Sequence, residues 1–462
     1  MHKHQTVSII TAVFLSFALC GGFIACSTGI EKQPVLEDNE EGKEVKLNAG
    51  DWYDRGQAFL EEGVNDKAIE AFAKAIEMEP HFADAYNSRG IAYKGKGEYS
   101  LAISDFLKAL EISPRNIDAL NNHGITSFMA GDYNSAITDF NSIIKIASPI
   151  LASSFHSRGI GWKHSGDYDQ AISDYNIALS MNPYNAMIYN SRGLANGDIG
   201  EYKKAISDFT RAIKIKPTFA RAYTGRGMIN YRLANYDLAI SDFTKSLGID
   251  PHDAETYNSR GIVWYKKGNR KQAIEDFSKA IAANPRMKKS YNSRGIAYFA
   301  GKEFGKAIED FSKAVEISPE YVDAYTNRGI AWKNKGHYEN AVMDYTKALA
   351  LNPKNADALN SLAWIYATCP LDKTRDGNKA VSSALKAVIM KPDAFKLDTL
   401  AASYAEVGKF NEAISTQKKA NALFKKAGLK KALSKGKKHL SSYQNKKPWR
   451  DDVVSSKENS KS

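Results

Sequence analysis

The chain has 462 residues, 43% of them hydrophobic, 25% charged and 11% aromatic, with 13 Pro and 32 Gly. That balance excludes a disordered chain, which carries fewer apolar residues, and a fibrous one, which carries far more Gly and Pro. The formal net charge is +12, and where it sits decides what it means.

The chain opens with a basic MHKHQT and then an uncharged run, VSIITAVFLSFALCGGFIAC, ending at Cys26. Residues 1–26 therefore read as an export signal, or as an uncleaved anchor, since about 20 apolar residues span a bilayer. The end of the run, Phe23-Ile24-Ala25-Cys26-Ser27, resembles the lipobox of bacterial lipoproteins, with Phe where that motif has Leu. The resemblance implies lipidation of Cys26, export, and a place at the cell envelope on the periplasmic side of a bacterial membrane. Residues 27–47 hold six acidic residues and read as a short solvated tether. Cys20, Cys26 and Cys369 are the three cysteines, so no disulfide framework can be built and packing must stabilise the body.

From residue 48 a period governs the sequence. YNSRGIAY stands at 86–93 and again at 291–298. The Gly of this motif recurs at 56, 90, 124, 159, 193, 227, 261, 295 and 329, spaced by 34 residues except for one extra residue near 145–154. With this Gly placed eighth, position 4 is aromatic or Leu, position 20 is Ala and position 24 is Phe or Tyr, as in Tyr257, Ala273 and Phe277. Pro closes most units at position 32 and a Gly near position 15 marks a turn. These features predict two helices per unit. Small residues allow close approach, aromatics fill the seams, Gly takes a positive-φ turn and Pro ends the second helix.

Length and positions together resemble the tetratricopeptide repeat. The resemblance implies an all-α, right-handed solenoid of about eleven units over 48–424, since a single unit cannot bury its own apolar face. Ala363 and Ala401 continue the Gly series in two divergent final units, as capping demands. Residues 425–450 are expected to extend the last helix as a basic cap, with Lys447-Pro448-Trp449-Arg450 similar to a terminal plug in bacterial arrays of this type. Residues 451–462 are expected to be a disordered tail.

One ladder departs from the family, which prefers Leu at position 7. Here that position is Arg in eight units, and position 23 is Asp in units two to nine. A long cation at a nominally apolar site needs a partner. The expected pairs include Arg89 with Asp105, Arg192 with Asp208, Arg260 with Asp276, Arg294 with Asp310 and Arg328 with Asp344; the functional alternative is an anion-binding row.

In the family, positions 2, 5, 9, 12 and 13 of the first helix line the concave groove. Position 5 is Asn at Asn87, Asn121, Asn190, Asn258, Asn292 and Asn360, with His156 in the same row. Asn offers both a donor and an acceptor to a peptide group, and the row resembles the asparagine ladder of the superhelix in O-linked sugar transferases. The alternative is that these amides bond the neighbouring helix. Position 12 varies, through Lys94, Lys163, Tyr231, Tyr265, Phe299 and Lys333, and is where specificity would reside. The clamp for chaperone tails needs Asn at position 9, which is apolar here.

Residues 418–450 contain eleven Lys, one Arg and no acid, which equals the net charge of the whole chain. A basic helix can meet anionic lipid or nucleic acid, or be a solvated cap; export argues against nucleic acid. No phosphate loop, metalloprotease helix, nucleophile elbow or metal-ligand spacing appears in the sequence. His156 and His164 read as lining the groove rather than holding a metal. The expected function is a non-enzymatic scaffold binding protein or extended peptide, with no cofactor, metal or small-molecule substrate. Its alternative is an accessory subunit of an envelope secretion or glycan-assembly complex, working through its outer face and basic helix.

Overall fold

A computed structural model of the chain describes residues 47–146 and 152–452. The leader, Cys26, nearly all of the acidic tether, residues 453–462 and residues 147–151, in the stretch that holds the one extra residue, lie outside the described residues. Among the described residues there are 23 α-helices and a short 3-10 helix, with no strand. Helices alternate along the chain as first and second members of each unit, for example Ala254–Lys266 and Arg270–Ala283 in unit seven.

Local sequence fixes the helix ends. Asp253 caps Ala254–Lys266 by accepting from the amides of Glu255 and Thr256, satisfying donors that the first turn leaves free. Gly268 then adopts φ 84, a left-handed conformation that costs Gly little. Units lacking that Gly put Ala234 (φ 59) and Lys302 (φ 63) into the same turn. The turn is thus dictated by the packing of its helices, not by Gly alone.

The core is a row of small seams. The position-20 alanines from Ala68 to Ala341 are completely buried. A Cβ on Gly261 would come within 2.7 Å of the Phe277 ring, and one on Gly90 within 2.6 Å of Phe106. The position-8 Gly is therefore the cavity into which the position-24 ring of the same unit inserts.

The C-terminal end differs from the expected continuous extension. Phe410–Lys426 ends in a turn at Gly428 (φ 67), and Lys430–Gln444 is a separate helix. It packs as the first helix of a further unit, burying Gly436, His439 and Tyr443. The reason is the same positive-φ turn that closes earlier helices, here ahead of a sequence with its own buried face.

Candidate functional site

The site is assembled on the first helices, whose register is fixed by the Arg–Asp pairs. In seven units the position-7 Arg donates Nε to one carboxylate oxygen at 2.7–3.0 Å and Nη2 to the other at 2.5–2.8 Å. Both expected partners meet in every pair named from the sequence, and Arg158–Asp174 and Arg226–Asp242 join them. The carboxylates are 3–6% exposed. Hydrogen bonding to the carboxylate holds the guanidinium of Arg89, Arg226, Arg294 and Arg328 above its ordinary pKa. Each guanidinium also sits 5.2–5.9 Å from the centre of its position-4 ring. Where unit three has His123 instead, its Nδ1 lies 2.6 Å from Asp139.

A third partner was not anticipated. Nη1 donates to Asn141, Asn176, Thr210, Thr244, Ser278 or Ser312 of the preceding unit, at 2.6–3.0 Å. The signal was present in the sequence as a polar position 25 ahead of every Arg from Arg158 to Arg328. Arg89 follows Ala73 and bonds only Asp105. Each complete triad thus ties a first helix to its own second helix and to the previous one. The cations are thus occupied with fixed protein acceptors.

The position-5 row also lies mostly between helices. Asn190, Asn258 and Asn292 are 6–8% exposed, and His156 is 3% exposed. Asn87 Oδ1 accepts from Asn122 at 3.1 Å, Asn292 Oδ1 accepts from Asn327 at 3.0 Å, and His156 Nε2 lies 2.9 Å from the Ser191 hydroxyl. These links join position 5 to position 6 of the next unit, where a Ser or Asn carries no sequence signal that sets it apart from a solvated residue. Asn258 Oδ1 accepts from the Ser290 hydroxyl at 3.3 Å. The Oδ1 atoms of Asn190 and Asn360 are buried without a hydrogen-bond partner. Asn121 is exposed and remains open to a ligand. Asn87, His156, Asn258 and Asn292 thus link neighbouring units.

Position 12 is more varied. Lys94 donates to Asn122 at 3.2 Å and Lys163 lies 3.6 Å from Asp198. Burial lowers the pKa of Lys94 and Lys333. Tyr231 rests on Tyr236 and Phe299 on Phe304, with ring centres 6.3 and 5.4 Å apart, while Tyr265 packs beside buried Ala273, Phe277 and Ala297. His156 and His164 have separate surroundings: His164 packs on Phe128 and Tyr133. Burial pushes each of these histidines down to about 4, so both are neutral at physiological pH.

The first-helix face is occupied at its C-terminal end by the chain itself. The extended segment after Lys446 runs over Ala356–Thr368 and Ala394–Glu406, the first helices of units ten and eleven. Asp451 accepts from Trp364 Nε1 at 2.6 Å and from the Thr368 hydroxyl at 3.2 Å, and its amide donates to the Thr368 carbonyl at 2.9 Å. Arg450 Nη1 pairs with Glu406 at 2.6 Å and donates to the Ala367 carbonyl at 3.3 Å. Trp449 packs, as Trp364 and Tyr404 do, against the buried cluster that contains Ala367, Ala402 and Tyr443, and its ring centre lies 4.5 Å from that of His439. Asp451, read from sequence as the start of a disordered tail, is thus an anchor. Its signal was the acid directly after the Trp-Arg pair.

Models of the tetratricopeptide repeat match residues 53–117, 165–218, 197–254, 254–287, 295–336, 322–355 and 344–379, together more than half of the chain. The chain belongs to the tetratricopeptide repeat family. A search of curated proteins finds no match. Among solved structures, a tetratricopeptide repeat protein from Parabacteroides merdae is 21% identical, with TM-score 0.45 over 54% of this chain and 98% of that one. Yeast Tom70 is 16% identical, with TM-score 0.41 over 86% and 96%. YrrB, described as a TPR protein with an unusual peptide-binding site, is 22% identical, with TM-score 0.35 over 40% and 96%. The repeats make the chain a protein-interaction scaffold.

Proposed function

We propose that this scaffold binds extended protein segments along its concave first-helix face, without catalysis. One observation carries the reading: the face already holds an extended peptide, its own residues 447–452, through a main-chain hydrogen bond, a half-buried Trp and two charged contacts. Groups that hold a peptide in cis have the chemistry to hold one in trans. The reading assigns no catalytic residue, cofactor, small-molecule substrate or nucleic acid.

The test removes residues 447–462 and adds a labelled peptide of residues 445–452. The expected result is saturable binding to the shortened chain, at least tenfold weaker to the full chain, and weakened by Asp451→Ala in the peptide. If the shortened chain keeps its helical melting but binds the peptide no better than a scrambled one, the reading fails.

The location is proposed from the leader: export and lipidation at Cys26, supported by the basic start, the uncharged run and the lipobox-like end. Labelling of cells with palmitate should mark the protein, and Cys26→Ala should abolish the mark. The reading as an accessory subunit is favoured by one feature, the exposed lysines of the last helices.

A further inference from the structure

The last two boundaries between units form a surface unlike the earlier ones. Ile389 and Met390 end the second helix of unit ten and are 79% and 43% exposed; Phe395, which opens the next helix, is 53% exposed. The same edge one unit further carries Leu423 and Leu429, each 40% exposed. The two boundaries are joined through Phe395, whose ring centre lies 5.1 Å from that of buried Phe424. Single exposed apolar residues need no explanation, but these occupy one continuous edge.

Lysines dominate their sequence neighbours. Lys386 and Lys391 flank the first boundary, and Lys425, Lys426, Lys430 and Lys431 flank the second, every one exposed. Lys419, Leu423 and Lys426 follow i, i+4, i+7 spacing and so share a helix face. The acids nearby, Asp393 and Asp357, lie 2.6 and 3.1 Å from the one Lys396 Nζ, against six exposed lysines at the two boundaries. At an earlier boundary the pattern is opposite: exposed Met78 stands between Glu77 and Glu79.

We infer that this basic, apolar-tipped edge docks on an anionic lipid surface. Lysines around protruding Ile, Leu, Met and Phe side chains are the arrangement that enters a membrane interface: charge draws the edge to acidic headgroups and the apolar tips pass beneath them. A nucleic acid would satisfy the lysines and leave the aliphatic tips without a partner. The inference is independent of the peptide reading, because the edge lies at helix ends and not on the first-helix face.

The test is sedimentation of the full chain with phosphatidylglycerol-rich vesicles and with pure phosphatidylcholine vesicles, at low and high salt. The phosphatidylcholine arm measures any contribution of the apolar leader. The edge should add a salt-sensitive preference for the anionic vesicles. Reversing Lys425, Lys426, Lys430 and Lys431 to Glu should reduce that preference by about a hundredfold or more, since each such cation adds about fivefold near the surface. The double variant Ile389→Ser, Phe395→Ser should lose it in part while keeping all charges, and both variants should keep their helical melting. No preference for anionic vesicles, or a preference unchanged by the lysine reversals, overturns the inference. So does heparin binding that falls with the lysine variant while vesicle binding ignores the apolar one, which would mark a general polyanion surface.

Discussion

Removing either member of one Arg–Asp pair should destabilise the solenoid unequally. Asp276 is 3% exposed, while the Arg260 side chain is 15% exposed and has a second acceptor in Thr244 at 2.9 Å. Arg260→Leu leaves a buried carboxylate with its two donors gone, for which about 3 to 5 kcal/mol is expected. Asp276→Leu leaves a cation that can turn toward water and keep Thr244, so about 1 to 3 kcal/mol is expected, nearer the cost of an unmade buried hydrogen bond. The double replacement should cost less than Arg260→Leu alone, giving a coupling of about 2 kcal/mol or more. Because a repeat array need not unfold as one unit, the assay should be local. Hydrogen exchange in Ala254–Lys266 and Arg270–Ala283 reads the opening free energy of the affected unit directly. Equal single costs that add in the double variant would refute the reasoning, since the two side chains would then act independently.

Two further predictions probe the seams. Gly261→Ala places a Cβ 2.7 Å from the Phe277 ring and should destabilise by about 1 to 3 kcal/mol. Gly248→Ala, with no heavy atom within 4 Å, should stabilise by about 0.5 to 1 kcal/mol; chemical denaturation of both should give opposite signs. His156, held neutral with its pKa pushed down to about 4 by burial, should make stability pH-dependent. The unfolded chain takes up this proton first, near pH 6.5, so the contribution is intact above that value and declines as pH falls toward 4, by about 3 kcal/mol in all. His156→Asn, the residue most units carry there, should flatten that slope in the surrounding helices. His164 is retained in both proteins, so the difference isolates His156.

Much of this protein is written in its period. The recurrence of Gly, Ala, aromatic and Pro in phase is set by local sterics: a missing Cβ, a ring of fixed size, a residue that cannot continue a helix. Those constraints act within one unit, so a linear reading recovers them. The Arg–Asp pairs were legible for the same reason. Both residues lie in one unit, 16 positions apart, and an unpartnered Arg beside a buried acid is costly enough to be inferred.

Contacts between units were less legible, because they are decided by how neighbours stack. Ser278 meeting Arg294 and Asn122 meeting Asn87 involve residue types that are equally at home in solvent. The burial of the position-5 amides of Asn190, Asn258 and Asn292, while Asn121 stays exposed, depended on that stacking. So did the return of Trp449, Arg450 and Asp451 across units ten and eleven. The sequence by itself determined the unit, its turns and its internal pairs, since those follow from residue size and charge over short separations. Only the tertiary structure decided which polar groups are consumed between units and which face the tail covers, since a contact such as Trp364 with Asp451 spans 87 positions and exists only once every intervening unit has stacked.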